Sequence, residues 1–332
     1  MAEAGSDESV SVRLFDADRT DRELTVEDAR SIKVGNRQLL WIDVVGRSKE
    51  QQTQLDELLA RFEVTSRTRR SLADPERTPS LVVHGDYLHL RVATFAAAGD
   101  LEAVDWLDIL AAENRVMTVH DEPLEFLEGI DERIEADADL GRIDAAEFVA
   151  VLLDAAVTTY YTAVDRIEEI VDTMDARSLR EDASVNLLPE LVDVRRQIAR
   201  LRQLLAGHRE EFAALARPDL VVATEIGDFS VFPAVAERFE RAISAVENSR
   251  DLLLGSFEVY MTRTAQRTND TMKVLALLSA LLLPGSLIAG LLGMNMPGPF
   301  APDDPRAFWI VVALIGVLSV TTLVIARLRR WI

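Results

Sequence analysis

Two long uncharged hydrophobic stretches lie near the C-terminal end of the chain. The first runs from Val274 to Leu292 and the second from Ala307 to Ala326. An α-helix of about 20 residues crosses the ~30 Å hydrocarbon core of a bilayer. Buried helices of soluble proteins rarely run this long without a charged residue, so the pattern predicts two transmembrane helices.

Basic residues flank both stretches on the same side. They are Arg263, Arg267 and Lys273 before the first stretch and Arg327, Arg329 and Arg330 after the second, whereas the loop between the two holds only Arg306. Because cytoplasmic flanks carry the excess of positive charge, both chain termini are predicted to be cytoplasmic, with the protein in the cell (inner) membrane. The N-terminal sequence MAEAGSDESV also lacks the basic and apolar regions of a signal peptide.

Strand patterns precede helical patterns in the rest of the chain. Up to about His120, alternating apolar and polar residues predict strands at 10–15, 38–45, 87–95 and 115–120, with helical stretches such as 49–62 between them. From Glu122 the spacing is helical over 124–138, 145–179 and 189–216, with a break within 217–229. Apart from a tolerable Gly255, nothing interrupts the pattern between Pro233 and Pro284. A cytosolic helix and the first span are therefore predicted to form one helix about 90 Å long.

These patterns predict an α+β fold: an N-terminal mixed α/β cytosolic domain, a helical region with one very long stalk helix continuing into the membrane, and two C-terminal transmembrane helices. The predicted boundaries are 1–121 for the α/β domain, 122–230 for the helical region, 231–292 for the stalk helix with its transmembrane part at about 274–292, 293–306 for an exterior loop, 307–326 for the second span and 327–332 for a basic cytosolic tail.

Charge and composition narrow the possible partners. The chain carries −20 in all; from Arg263 onward seven basic residues against three acidic ones give +4, which leaves −24 for the preceding part. So acidic a soluble part argues against nucleic acid and favours cations as partners. The chain has no cysteine for a thiolate metal site and no GxxxxGK loop for ATP-driven transport.

The four histidines, His84, His89, His120 and His208, do not have metal-ligand spacing, so they are predicted to be structural. No cofactor is predicted, and no motif favours an enzyme.

One face of the first span carries small and polar residues at intervals of three, four or seven. These residues are Asn269, Met272, Ser279, Leu283, Ser286, Gly290 and Gly293. One long helix and one short span cannot enclose a water-filled path, so transport would need several copies around an axis with this face inward. Ser279 and Ser286 could instead bond to the carbonyl four residues earlier, as is common in membrane helices. The spacing leaves both interpretations open.

A short motif follows the first span directly. Gly293-Met294-Asn295 ends it, TNDTMKVL (268–275) lies at its other end, and Pro284 stands between them. With two C-terminal spans and an acidic α/β domain, these residues resemble the CorA family of divalent-cation channels, whose signature is GMN at the outer end of the first span. LWIDV (40–44) and the run from 74 to 92 are similar to that family's first domain. The resemblance covers most of the chain, tightly from about Glu258 to the end.

The resemblance implies a homopentamer in the lipid bilayer that passes divalent cations, chiefly magnesium, with cobalt and nickel tolerated, and that is closed by cytosolic magnesium. The implied selectivity filter is Gly293, Met294 and Asn295, and the implied pore-lining residues are Asn269, Met272, Leu275, Ser279, Leu283, Ser286 and Gly290. Several Asn295 amides would form a ring of neutral acceptors for a hydrated ion. Asp303 and Asp304 of the exterior loop would attract cations.

Two departures from the family pattern leave the ion open. First, MPGPF (296–300) leads to PDDP (302–305) where magnesium channels of the family have an MPEL-like turn, and this Pro-Gly continuation is similar to the zinc-transporting branch known as ZntB. Second, Gly285-Ser286 follows Pro284 where a bulkier residue and Thr are usual. Zinc transport, with or without coupling to protons, is therefore an alternative. A membrane-anchored interaction or sensor protein is another, although a tether needs neither GMN nor a polar stripe.

Four carboxylates share one face of the long helix. Glu240, Glu247, Asp251 and Glu258 follow intervals of seven, four and seven. The resemblance implies a regulatory magnesium site between subunits at Glu258, with Asp251 and Glu247 as further candidates. Its partner carboxylate would come from the first domain of the adjoining subunit, where the candidates are Asp100, Glu102 and Asp105. A solvated surface stripe, with Arg238, Arg241 and Arg250 nearby, is the alternative.

Overall fold

The computed structural model of the protein describes residues 9–16, 20–46, 55–74, 77–95, 103–130, 144–179, 187–217, 226–293 and 305–328. The chain divides into two compact units, Met1–Ser256 and Phe257–Ile332. A mixed sheet and several helices form the first unit. The long helix α6 (Phe232–Gly293, numbered in chain order) begins in the first unit and continues in the second.

A seven-stranded sheet forms the N-terminal part of the first unit. Its strands are β1 (Val10–Asp16), β2 (Arg22–Glu23), β3 (Gln38–Val45), β4 (Ser80–His84), β5 (Tyr87–Phe95), β6 (Val104–Ala112) and β7 (Arg115–His120). Their order is β2-β1-β3-β7-β6-β5-β4, and every neighbouring pair is antiparallel except β3 and β7. The parallel β3–β7 pair therefore joins the N-terminal strands to the β4–β7 meander.

Helices cover both faces of the sheet. Three short helices, α1 (Val26–Ser31), α2 (Ser66–Leu72) and α3 (Glu125–Glu128), accompany a helical segment at 55–62. Leu40 and Ile42 of β3 lie in one apolar cluster with Phe62 of that segment. Trp41 points to the opposite face, where its ring lies 5.4 Å from that of Phe148. Alternate residues of β3 are thus buried on both sides, as the pleat of a strand requires.

Three long helices form a bundle beside the sheet. They are α4 (Ala145–Leu179), α5 (Leu188–Leu215) and the first part of α6. Their buried residues recur at alternating intervals of three and four, the spacing of side-by-side coiled-coil packing. In α5, for example, these residues are Leu191, Val194, Ile198, Leu201, Leu205, His208, Phe212 and Leu215. Phe212 stacks on Phe239 of α6 with ring centroids 4.1 Å apart.

The end of β5 is joined to the bundle by hydrogen bonds. Strand β4 pairs with β5 from Tyr87 to Arg91, so β5 extends beyond its neighbour. There the N–H of Ala93 donates to Nε2 of His208, at 2.8 Å, and the carbonyl of Ala93 accepts from the hydroxyl of Tyr160. Side chains of α5 and α4 thus satisfy backbone groups that a longer β4 would otherwise pair.

Among the described residues, three helices are long and apolar enough to cross a membrane: α4, α6 and α7 (Pro305–Leu328). In α4 that apolar stretch is 61% buried inside the protein, against 0% in α6 and α7. Helix α4 is therefore a core helix of the first unit. The apolar surfaces of α6 and α7 are exposed in the single chain, as lipid-facing helices require.

The patterns of the sequence agree with most of these elements. The four strands predicted from alternation are confirmed as β1, β3, β5 and β7, and the helices predicted at 145–179 and 189–216 are confirmed as α4 and α5. The sequence does not predict β2, β4 and β6. The helix predicted at 124–138 begins as α3, and its part from 131 onward lies outside the described residues. The domain boundaries stay predictions.

His208 is the buried histidine whose protonation would break the link between α5 and β5. Its Nδ1 donates to the carbonyl of Leu204 at 2.7 Å, so Nε2 must be unprotonated to accept from Ala93. Burial lowers the pKa of His208 to about 4, although the bond to Leu204 opposes this shift. The unfolded chain therefore takes up a proton first as the pH falls below about 6.5.

We expect this histidine to make stability fall with acidification. Its contribution is full above about pH 6.5 and is lost between about pH 6.5 and pH 4, by up to about 3 kcal/mol. In His208→Gln the amide oxygen can still accept from Ala93 but does not titrate, so the decline should be shallower. Thermal unfolding of detergent-solubilised full-length protein from about pH 7 to about pH 4.5 measures the slope. An equal slope in the wild type and in His208→Gln would contradict the assignment.

Candidate functional site

In the second unit, α7 packs against one face of α6. A Cβ built on Gly285 would lie 3.5 Å from Cγ2 of Ile315, so the α6 backbone approaches α7 closely here. The half-buried residues of α6 share this face at intervals of three and four: Leu277, Leu281, Pro284, Gly285 and Ile288. A residue larger than alanine at position 285 would push the two helices apart. The departure from the family pattern at Gly285-Ser286 thus has a packing reason.

The predicted pore-lining residues lie on the opposite face of α6. Ser279 is two residues from Leu277 and from Leu281, which places it about 200° around the helix from both. Ser286 has the same relation to Pro284 and Ile288. All members of the predicted stripe are exposed: Asn269, Met272, Leu275, Ser279, Leu283, Ser286, Gly290 and Gly293. The polar stripe is therefore a face of α6 that α7 does not cover.

Both serines of the stripe bond to their own helix. The hydroxyl of Ser279 donates to the carbonyl of Leu275 and that of Ser286 to the carbonyl of Leu282, each at 2.9 Å. With its proton engaged, each oxygen can only accept further hydrogen bonds. The waters around a cation point their hydrogens outward, so such an acceptor suits a hydrated ion. The back-bond and the pore-lining role are thus compatible.

The predicted filter begins where α6 ends. Gly293 is the last residue of α6 and is exposed. Among the described residues, apart from its chain neighbours and the adjoining helix backbone, no atom comes within 4 Å of a Cβ built on it. Met294, Asn295, Asp303 and Asp304 lie outside the described residues. Their roles as filter and as cation-attracting loop stay predictions.

Arginines pair with two members of the carboxylate stripe, Glu240 and Asp251. Glu240 accepts two hydrogen bonds from Arg209 of α5, at 2.8 and 2.6 Å. This hydrogen bond is the main cause of the raised pKa of Arg209, and the charge of Glu247 adds to it. Asp251 lies 3.6 Å from Arg250. Glu240 and Asp251 therefore match the solvated, ion-paired stripe. Spacing within α6 does not reveal Arg209, although Arg195, Arg202 and Arg209 recur every seven residues along α5.

Glu258 differs from the rest of the stripe. It lies in the second unit, it is exposed, and within the described ranges it has no hydrogen-bond or ion-pair partner. Glu247 is likewise exposed and without a hydrogen-bond or ion-pair partner in the described part of the chain, so both keep a carboxylate for a cation, and Glu258 is the one in the second unit.

Asp105, a candidate partner for Glu258, is already engaged. It is buried, and its two oxygens accept from the backbone N–H groups of Trp106, at 2.7 Å, and Glu122, at 2.9 Å. Such a carboxylate stabilises the local backbone and is poorly placed to bind a metal between subunits. The other candidates, Asp100 and Glu102, lie outside the described residues.

The buried histidines have partners inside the first unit. Nε2 of His89 lies 2.7 Å from the carboxylate of Asp108, and Nε2 of His120 lies 3.1 Å from that of Asp43. Burial would lower the pKa of His120, but the hydrogen bond to Asp43 and the charge of that carboxylate raise it above its ordinary value. No group of three or more His, Asp or Glu residues in the described part of the chain could hold a metal. The prediction that these histidines are structural agrees with their contacts.

The family of the chain follows from its sequence as a whole. A profile of the family described as "CorA-like Mg2+ transporter protein" matches residues 36–330, which include strands β3 to β7, the bundle and both C-terminal helices. The chain belongs to this family, and the resemblance carried by GMN and its surroundings is confirmed. It is a family of transporters, not of enzymes.

Two relatives align with about two thirds of the chain. The cobalt/magnesium transport protein CorA of Thermotoga maritima is 25% identical over 230 residues, 68% of this chain and 64% of that protein. The divalent cation transporter CmaX of Pseudomonas aeruginosa is 28% identical over 233 residues, 68% of this chain and 67% of that protein. The alignment thus spans slightly less than two thirds of the Thermotoga protein.

Solved structures share the fold. Full-length CmaX has a TM-score of 0.74 at 23% identity, and the match covers 99% of this chain and 100% of that chain. The cytoplasmic domain of ZntB from Vibrio parahaemolyticus has a TM-score of 0.58 at 11% identity, with 78% of this chain and 99% of that domain covered. At such identities the likeness shows the fold alone. The predicted fold class, with a long stalk helix and two C-terminal transmembrane helices, is confirmed.

Proposed function

We propose that the chain is a passive divalent-cation channel of the cell membrane that works as a homo-oligomer, a pentamer, with magnesium as its main substrate and cobalt and nickel tolerated. The observation that carries this proposal is the uncovered face of α6, where Asn269, Ser279 and Ser286 lie opposite the face packed on α7 and lead toward Gly293. In a bilayer such a face needs either another protein surface or water. Several copies around an axis supply both.

The ion passes this pore with its water shell. Magnesium gives up its waters reluctantly, so a filter that accepts hydrogen bonds from those waters selects it at lower cost than one that strips them. Asn295 supplies amide acceptors at the outer end, and Ser279 and Ser286 supply hydroxyl oxygens along the pore. Asp303 and Asp304 raise the local cation concentration at the exterior mouth. The membrane potential contributes about 2 × 2.3 kcal/mol per 100 mV for a divalent ion, so uptake needs no ATP.

The inner end of the same face forms the gate. Met272 and Leu275 are both exposed in the single chain, and a ring of such apolar side chains closes a narrow pore by excluding water. Asn269 adds a polar ring below it. Both chain termini are cytoplasmic in this arrangement, in line with the basic flanks of the two spans.

Cytosolic magnesium closes the channel through Glu258. Acidic domains that carry about −24 each repel one another when several copies assemble, and cations bound between subunits offset that repulsion. Glu258 keeps an uncompensated carboxylate on the long helix, and its partner comes from the first domain of the adjoining subunit. Binding favours the closed state by the difference in its affinity for the closed and open forms.

Zinc is the second candidate ion. The MPGPF continuation after GMN favours it, because this stretch differs from the acidic turn of the magnesium channels. Competition between magnesium and zinc in reconstituted protein, with and without a pH gradient, separates the two ions.

The filter is tested by Asn295→Leu. We expect loss of divalent flux in proteoliposomes with assembly unchanged by size-exclusion chromatography, because the acceptor ring is removed and the fold is not. Asn248→Leu, at an exposed position on the cytosolic part of α6, is the matched control and should conduct like the wild type. Normal uptake by assembled Asn295→Leu protein would exclude this residue from the filter.

The regulatory site is tested by Glu258→Ala and Glu258→Lys. Without this carboxylate, the internal magnesium concentration needed to close the channel should rise at least about fivefold, a typical coupling between two sites. The matched control is Glu237→Ala, which removes an exposed carboxylate that pairs with Arg241 on the same helix. Flux against internal magnesium gives the answer. A wild-type response in both Glu258 variants would reduce the stripe to a solvated surface.

A further inference from the structure

The bundle holds α6 through a regular seam of buried residues. In α6 they are Val235, Phe239, Ala242, Val246, Ser249, Leu253 and Ser256, and in α4 they are Tyr160, Val164, Ile167, Val171, Met174 and Ser178. Both sets alternate intervals of three and four, so the two helices pack as in a coiled coil. Arg238 of α6 pairs with Asp154 of α4, and further along both helices Ser256 of α6 donates to Asp175 of α4. The two helices therefore run parallel.

The first half of this seam is aromatic and tightly paired. Phe239 stacks on Phe212, and its ring also meets that of Tyr160 edge-on, with centroids 6.3 Å apart. Arg238 pairs with Asp154 and donates to the hydroxyl of Thr158 at 3.0 Å. Large apolar surfaces and a charged pair both resist separation of the helices here.

The second half of the seam has serines at two of its three buried α6 positions, with Leu253 between them. Ser249 is 1% exposed and Ser256 is 7% exposed, so both occupy core positions where coiled coils favour large aliphatic residues. The hydroxyl of Ser249 shares its proton between the carbonyl of Ala245 in its own helix, at 3.0 Å, and Glu168 of α4, at 3.2 Å. The hydroxyl of Ser256 donates to Asp175 of α4 at 2.9 Å. These two serines and two carboxylates are termed the serine clasp.

The serine clasp resists separation less than the aromatic half does. A serine buries little apolar area, so its contribution rests on one hydrogen bond to a carboxylate at the half-buried edge of α4. When α6 parts from α4, water replaces that bond on both sides, whereas parting of Phe239 from Tyr160 of α4 exposes two rings. The clasp also covers the last residues of α6 in the first unit, which ends at Ser256.

We propose that the serine clasp is a built-in release point, at which α6 separates locally from α4 over residues 249–256 while 235–246 stays packed. A seam with small polar residues at one end opens from that end. The proposed function gives this opening its use: α6 also carries Glu258 and the stripe, so release at the clasp lets the stalk move while the sheet and the aromatic half of the seam stay in place.

Hydrogen exchange of the full-length wild type in detergent tests the release point. We expect amides of 249–256 to exchange at least about tenfold faster than those of 235–246, the ratio that 1.4 kcal/mol in local opening produces. The double variant Ser249→Val/Ser256→Val fills the seam and should slow exchange at 249–256 toward that of 235–246. Ser244→Val is the matched control, because Ser244 is exposed on the same helix and bonds only within it, to the carbonyl of Glu240.

A second pair of variants keeps the test decisive if the valine protein does not fold. Asp175→Ala removes the acceptor of Ser256 and should speed exchange at 249–256, whereas Asp175→Asn keeps an acceptor oxygen and should resemble the wild type. Equal exchange along 235–256, or no difference between Asp175→Ala and Asp175→Asn, would overturn the proposal.

Flux separates the clasp from the proposed function. The valine variant should conduct less than the wild type, and unchanged flux with slowed exchange would show that the release plays no part in transport. A wild type without flux would contradict the proposed function and leave the exchange result standing.

Discussion

The polar face of α6 that α7 leaves uncovered is the constraint on which the rest of the structure depends. Ser279 and Ser286 are exposed on the apolar part of α6, which is long enough to cross a bilayer. Their protons bond within the helix, but their oxygens can accept further hydrogen bonds that lipid does not supply, and a single second span covers only the face around Gly285. The proposed assembly of several copies places this face on other copies and on water.

A single uninterrupted helix, α6, begins in the first unit and continues in the second. Phe232–Gly293 is one helix of 62 residues, so the seam against α4, Glu258 and the polar stripe are all parts of one element. Its anchorage is graded: aromatic stacking and the Arg238–Asp154 pair hold one end, and serine hydroxyls hold the end that leads out of the first unit. His208 and Tyr160 in turn join the bundle to β5, so the sheet, α4 and α5 form a common support.

Sequence patterns predict the strands whose apolar and polar residues alternate along the sequence and the helices whose pattern is unusually long. Strands β1, β3, β5 and β7 carry recognisable period-2 runs, and α6 is predicted because nothing breaks the helical pattern between Pro233 and Pro284. Strand β6, like β5, is buried over most of its length, but its apolar and polar residues do not alternate along the sequence, and β4 is a short edge strand of half-buried residues. Neither gives a clear periodic signal.

The candidate site is predictable in part for a similar reason. The stripe from Asn269 to Gly293 depends on spacing within one helix, and the structure places it opposite α7. The pairing of Glu240 with Arg209 and the engagement of Asp105 depend on neighbouring elements, and no spacing within α6 reveals them. Ser249 and Ser256 read as ordinary polar residues of a surface until their burial is known. The filter at Asn295 still rests on the motif itself.

The most direct test of the central claim is magnesium uptake into proteoliposomes that contain this protein alone, with an inside-negative potassium diffusion potential and no ATP or pH gradient. A passive channel should take up magnesium, and the rate should rise with the potential, because each ion gains about 2 × 2.3 kcal/mol per 100 mV. No uptake at any potential, or uptake only when a pH gradient is added, would contradict a passive magnesium channel.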